Sequence, residues 1–164
     1  MTIQVLVQAR EHLIKKTFEA IRGAKNVILH FYNSTSTLQR KVVFHMDTAG
    51  ITKIATDAAD LIYEMSQPLI QEGMNLRFEY SPESFMGTEM DYAVEICQAV
   101  LEHLHADPET QGQFWNPAPA NGRKTVCPTS SPICWKYFCK KIPGRDSAII
   151  SCTPQRPGLR RGHC

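Results

Sequence analysis

The amino-acid sequence predicts an α/β fold in which parallel strands alternate with helices. Three short apolar runs are each followed by a longer segment whose apolar residues recur at helical spacing. The second run, Asn26 to Tyr32, is apolar at most positions, which is typical of a strand covered on both faces of a parallel sheet. This alternation favours βαβ units with right-handed crossovers.

The elements follow in order along the first two thirds of the chain. We expect strands at residues 3–7, 26–32 and 75–80, and helices over 11–22, 39–45, 52–71 and from 88 onward. Gly23 is placed to end the first helix, and Thr88 is placed to cap the last one. Both long helices carry one continuous apolar stripe, so each should cover the sheet with that face.

The last third has a different composition. Residues 1–106 carry 9 basic and 13 acidic side chains, whereas residues 107–164 carry 9 and 3, together with five of the six cysteines. A fourth strand is predicted at 146–151, but Pro117 and Pro119 disfavour a central strand near Gln113. We expect residues 109–134 and 152–164 to be irregular, because they show no periodic apolar pattern.

Several functional classes are disfavoured by the sequence. A zinc module built on Cys152, His163 and Cys164 lacks the usual close cysteine pairs. The basic end around Arg156, Arg160 and Arg161 has no interleaved aromatic residues, which argues against nucleic-acid binding. No apolar run approaches the roughly 20 residues of a membrane span, and no secretory pattern opens the chain. We therefore expect a cytoplasmic protein without a nucleic-acid or membrane partner.

Residues 77–91 predict where the chemistry lies. The strand is expected to break at Pro82, exposing Ser81, Glu83 and Ser84 before the next helix. Such a βα loop is typical of the active-site end of a parallel barrel. A complete barrel needs about 250 residues, so 164 residues hold only part of one. The predicted fold is an incomplete TIM (β/α)₈ barrel of about three to four βα units, with an irregular C-terminal third.

The amino-acid sequence of residues 2–107 resembles that of the 2-isopropylmalate synthase family almost throughout. The resemblance rests on residues 2–11, on Val27 to Ser34, and on Arg77 to Asp91 with its Ser-Pro-Glu-Ser-Phe core. The resemblance implies three segments. Residues 1–107 are part of that catalytic barrel, residues 108–151 are a degraded continuation of it, and residues 152–164 are an irregular basic tail.

After residue 107 the resemblance holds only in patches. The family's Thr-Val-Glu strand end and its metal-binding Leu-His-x-His pair are missing from residues 116–134 and 152–158, and its upstream Asp-Arg signature is absent. Codons that encode Thr125 to Cys134 can, when read one base earlier, encode most of the family's sequence motif. The hypothesis is therefore a truncated, twice frame-shifted gene product, which the coding DNA decides.

The resemblance also implies a reaction and a site. It implies condensation of acetyl-CoA with 2-oxoisovalerate in leucine biosynthesis by a homodimer, with a divalent metal (Mg, Mn or Zn) polarising the ketone. By match to the family motifs, the resemblance implies that His30, Ser81 and Glu83 line the substrate pocket. From the residues alone, His30 in its apolar strand is better explained as a buried core histidine. We assign no catalytic base.

We expect the chain itself to hold no metal and to be inactive, because the ligand pair is missing. The alternatives are a sister enzyme (citramalate or homocitrate synthase, or a lyase) and a non-catalytic remnant or interaction module.

Overall fold

The computed structural model describes residues 1–105 and the backbone of two short strands at 113–115 and 148–150. The elements, in chain order, are β1 (Ile3–Gln8), α1 (Glu11–Ala20), β2 (Asn26–Ser34), α2 (Thr37–Gln39) continuing into a π-helical turn (Arg40–Phe44), α3 (Thr48–Gln71), β3 (Asn75–Glu83), a 3₁₀ turn (Phe85–Gly87), α4 (Met90–Leu104), β4 (Gln113–Trp115) and β5 (Ala148–Ile150).

The strands form one parallel sheet in the order β1-β2-β3-β4-β5. In the register, Val5 lies opposite Leu29, and Leu29 lies opposite Phe78. Strands β2 and β3 are therefore parallel neighbours, as a barrel requires. The predicted α/β class with a parallel sheet is confirmed.

The last two strands change one part of the prediction. Gln113–Trp115 pairs with both β3 and β5, so the expectation of an irregular segment is wrong at these three residues. The strand ends before Pro117, so neither proline interrupts the paired segment. The strand predicted at 146–151 is β5. The rest of 109–134, and all of 152–164, lies outside the described residues.

The helices cover one face of the sheet. Helix α3 packs between α1 and α4, and their buried side chains join alternate strand residues in one core. That core includes Ile14, Phe18, Leu29, Phe31, Ile51, Ile62, Phe78, Tyr80, Ile96 and Val100. Both predicted apolar stripes face this core. Within the part of the chain that the structure describes, no helix is long and apolar enough to cross a membrane.

The helix ends differ from prediction at several points. Helix α3 begins at Thr48, four residues early, because the Asp47 carboxylate accepts the Gly50 N–H at 2.8 Å and caps the first turn. The predicted Thr88 cap of α4 is wrong: Glu89 occupies the cap position. Helix α1 ends at Ala20 with Ile21 as its C-cap, and the predicted stop, Gly23, lies in the turn that follows, with a positive φ of 83°.

Candidate functional site

A row of polar side chains lies on the face of the sheet opposite the helices. Residues paired in a parallel register share a face, and the pairs His30–Glu79, Tyr32–Ser81 and Ser34–Glu83 all lie on this side. The row runs toward the carboxyl ends of the strands, where the loops after β2 and β3 begin. In parallel α/β folds this end carries the ligand.

His30 lies near the middle of this row and is buried. Its Nε2 pairs with the Ser81 Oγ at 2.7 Å. Burial lowers the pKa of His30 to about 4, because the charged ring loses its hydration. The ring is therefore neutral at pH 7 and acts as a hydrogen-bonding group rather than a cation.

Ser81 is also buried, at 1% exposure, so the expectation that it is exposed is wrong. Strand β3 continues through Pro82 to Glu83 instead of breaking at Pro82. A proline is tolerated where its missing N–H faces no neighbouring strand. Among the described residues, β4 pairs with β3 only at Glu79 and Tyr80. Ser81 therefore stays in the sheet and points at His30.

Glu83 lies at the end of the same row but contacts a different residue. The Ser34 hydroxyl donates to Glu83 Oε2 at 2.6 Å, and the Thr35 N–H donates to the Glu83 carbonyl at 3.1 Å. Glu83 is partly exposed and Ser84, next to it, adopts a left-handed conformation with φ 59°. The structure thus joins His30 to Ser81 directly, while Glu83 ties β3 to the loop after β2.

Two further residues of this face were not assigned from the sequence. Glu79 is 6% exposed and accepts the Gln4 Nε2 at 2.7 Å. The same Gln4 nitrogen lies 3.4 Å from His30 Nδ1, and Glu79 Oε1 lies 3.7 Å from it. The sequence feature that could have identified Glu79 is the alternation of polar residues Glu79, Ser81 and Glu83 along β3. Gln4 could not be found in this way, because only the strand register shows that it reaches this row.

A second polar cluster fixes the loops above the strands. Arg40 donates to both carboxylate oxygens of Glu89, at 2.6 and 2.9 Å, and to the Thr35 carbonyl at 2.8 Å. Its guanidinium also lies 4.9 Å from the Tyr92 ring centroid. The Arg40 hydrogen bonds hold the pKa of Glu89 down at about 2. This clamp joins the turn after β2 to the start of α4.

The threonine predicted as a cap belongs to this loop junction. The Thr88 Oγ1 pairs with the Thr35 Oγ1 at 2.8 Å and donates to the Ser84 carbonyl at 3.3 Å. Its hydroxyl therefore closes the gap between the two loops instead of capping α4.

The described residues do not by themselves make a metal site. No group of three or more His, Cys, Asp or Glu side chains in the described part of the chain is arranged to hold an ion. The carboxylates of the polar row are engaged by Gln4 and Ser34, and His30 Nε2 by Ser81. A catalytic divalent ion needs about three protein ligands with an open position, and the described residues do not bring such a set together.

Together these features define an α/β protein with a parallel sheet, helices on one face, and a row of polar side chains that runs toward the carboxyl ends of the strands. The sequence pattern of the HMGL-like family matches residues 1–108. The chain belongs to that family.

Relatives with curated names agree with this assignment. The chain is 50% identical over 157 residues to the 2-isopropylmalate synthase of Corynebacterium glutamicum strain ATCC 13032, covering 94% of the chain and 24% of the relative. The enzyme of the same name from Rhodospirillum rubrum is 46% identical over 158 residues, covering 94% and 27%. That from Brucella suis biovar 1 is 47% identical over 152 residues, covering 93% and 26%. The chain thus spans about a quarter of the length of these relatives.

Proposed function

We propose that this chain carries the keto-acid half of a 2-isopropylmalate synthase site, in a protein that condenses acetyl-CoA with 2-oxoisovalerate. The observation that carries the proposal is the His30–Ser81 hydrogen bond of 2.7 Å on the polar face of the sheet. The 2-isopropylmalate synthase name of its relatives supports this substrate pair over the sister activities.

The reaction has two bond-forming steps. The deprotonated methyl carbon of acetyl-CoA attacks the ketone carbon, and the ketone oxygen becomes an alkoxide that must gain a proton. Water then cleaves the thioester and releases CoA. Negative charge develops on the ketone oxygen, so preorganised donors around it lower the barrier.

His30 and Ser81 suit that oxygen. A neutral imidazole with a pKa of about 4 is too weak a base to deprotonate acetyl-CoA at pH 7. It is a good donor or acceptor, however, and it lies in a buried environment where each hydrogen bond is electrostatically stronger. We propose that Ser81 donates to the ketone oxygen while His30 holds Ser81, and that Glu83 positions the substrate from the loop end of β3.

The remaining assignments belong to the same proposal. Residues 1–107 form part of a TIM barrel of about three to four βα units, residues 108–151 continue it, and 152–164 form a basic tail. A divalent metal (Mg, Mn or Zn) belongs to the whole enzyme rather than to the described residues. The whole protein is a cytoplasmic homodimer, and the chain of 164 residues alone does not turn over substrate.

A chimeric enzyme tests the proposal. Residues 1–105 replace the matching segment of the Corynebacterium glutamicum enzyme, and CoA release is measured with acetyl-CoA and 2-oxoisovalerate. We expect turnover by the chimera, its loss in the His30→Ala chimera, and none from the 164-residue chain. An intact, folded chimera without CoA release would overturn the proposal. Preference for keto acids of other chain lengths would favour a sister enzyme instead.

A further inference from the structure

Glu79 fixes the orientation of the Gln4 side chain. Glu79 Oε2 lies 2.7 Å from Gln4 Nε2, and Glu79 is almost fully buried. The Gln4 amide nitrogen donates to this carboxyl oxygen, so the nitrogen of Gln4, and not its oxygen, faces Glu79. The reversed amide would be costly, because the Gln4 oxygen would then face the buried Glu79 Oε2 and two acceptors would lie in contact.

The orientation of Gln4 in turn selects where His30 carries its proton. The same Gln4 nitrogen lies 3.4 Å from His30 Nδ1. An amide nitrogen donates and does not accept, so this pairing requires an unprotonated Nδ1. The Glu79 Oε1 lies 3.7 Å from Nδ1, beyond hydrogen-bond distance. The single proton of the neutral ring therefore lies on Nε2.

This tautomer determines what Ser81 offers to a ligand. With its proton on Nε2, the ring donates to Ser81 Oγ across 2.7 Å. The serine hydroxyl then keeps its own proton to donate elsewhere on the polar face. In the opposite tautomer Ser81 would donate into the ring and present only an acceptor, which repels a ketone oxygen that gains negative charge.

We propose that Glu79 and Gln4 are positioning residues that hold His30 in the Nε2-protonated tautomer, so that Ser81 donates its hydroxyl to the substrate's ketone oxygen. The inference deepens the proposed function and rests on it for the identity of that oxygen. The tautomer itself is a property of the chain without substrate, so it is tested separately.

Nuclear magnetic resonance of the ring nitrogens measures the tautomer directly. The 164-residue chain is labelled with ¹⁵N-histidine, and the His30 signals are assigned with His30→Gln. At pH 7 we expect a protonated Nε2 and an unprotonated Nδ1. Gln4→Met removes the donor to Nδ1 and leaves the Glu79 carboxylate beside it, so the proton should move to Nδ1. Glu79→Gln frees the Gln4 amide to turn, so both tautomers should be populated.

Glu83→Gln is the matched control, since it makes the same change on the same face of β3 but contacts Ser34. It should leave the His30 tautomer as in the unaltered chain. Circular dichroism checks that each variant folds. If Gln4→Met does not fold, the tautomer in Glu79→Gln decides the question. An Nδ1-protonated ring in the unaltered chain would overturn the proposal that Glu79 and Gln4 set the His30 tautomer. An unchanged tautomer in the folded variants would overturn it as well.

Kinetics in the chimera link the tautomer to the substrate. Gln4→Met should lower kcat/KM for 2-oxoisovalerate at least about tenfold, because one donor to a developing oxyanion contributes about 10²–10³ in rate. The KM for acetyl-CoA should not change. A tautomer that moves without any kinetic effect would refute the role of Ser81 as substrate donor, whereas an inactive parent chimera would refute only the proposed function.

Discussion

Acid should destabilise this chain through His30 before any general loss of carboxylate charge. In the folded state burial lowers the pKa of His30 from 6.5 to about 4. The unfolded ring takes up a proton below pH 6.5, whereas the folded ring resists it until about pH 4. The stabilising contribution is therefore complete above pH 6.5 and is lost progressively as the pH falls from 6.5 to 4.

The size of the effect follows from the shift. A pKa lowered by about 2.5 units corresponds to roughly 3 kcal/mol, at 1.36 kcal/mol per unit. Desolvation causes the shift, and the His30 side chain is still 11% exposed to water, so this figure is an upper bound. Against the 5–15 kcal/mol typical of whole domains, the loss is large.

Urea unfolding at pH 7, 5.5 and 4, followed by circular dichroism, measures this loss. His30→Gln retains a hydrogen-bonding side chain but cannot titrate. Between pH 7 and 4 its free energy of unfolding should therefore fall by up to about 3 kcal/mol less than that of the unaltered chain. His12→Gln, at an exposed position of α1, reports the effect of losing an imidazole from the surface. Parallel pH dependence of the unaltered chain and His30→Gln, within about 0.5 kcal/mol, would refute the reasoning.

Three further substitutions test the loops and the core by urea unfolding. Arg40→Lys should cost about 1 kcal/mol, because a lysine cannot reproduce the two-point contact with the half-exposed Glu89; an unchanged stability would show that the clamp contributes nothing. Gly87→Ala should cost about 1–3 kcal/mol, because the new Cβ would lie 3.0 Å from the Ser36 Cβ; Ser36→Gly in the same chain should recover most of it, and no recovery would locate the strain elsewhere. Ile62→Ala, at a fully buried position of α3, should cost about 2–5 kcal/mol, and a loss below about 1 kcal/mol would contradict the packing.

Periodicity predicted the elements because it reflects burial directly. The apolar stripe of α3 faces the core, with Ile51, Ala55 and Ile62 fully buried. The element ends were less predictable, since they depend on single side-chain contacts. Asp47 caps α3 four residues before the stripe begins, and Thr88 pairs with Thr35 from a distant loop.

The site was predictable only in part, for a physical reason. His30, Ser81 and Glu83 were predicted from the match to the family motifs, and the structure places His30 and Ser81 in contact. The role of the three residues in substrate binding stays a prediction. Gln4 is far from them in sequence and belongs to the row only because β1 pairs with β2. Register and side-chain orientation decide such contacts, and neither follows from one-dimensional patterning.

The most direct test of the central claim is a kinetic comparison in the chimera that carries residues 1–105 of this chain. Ser81→Ala is compared with the parent chimera, varying 2-oxoisovalerate and acetyl-CoA in turn. If Ser81 donates to the ketone oxygen, kcat/KM for 2-oxoisovalerate falls about 10²–10³-fold while the KM for acetyl-CoA stays within about twofold. Unchanged kcat/KM for the keto acid, or a loss confined to acetyl-CoA binding, would contradict the assignment of this face as the keto-acid site.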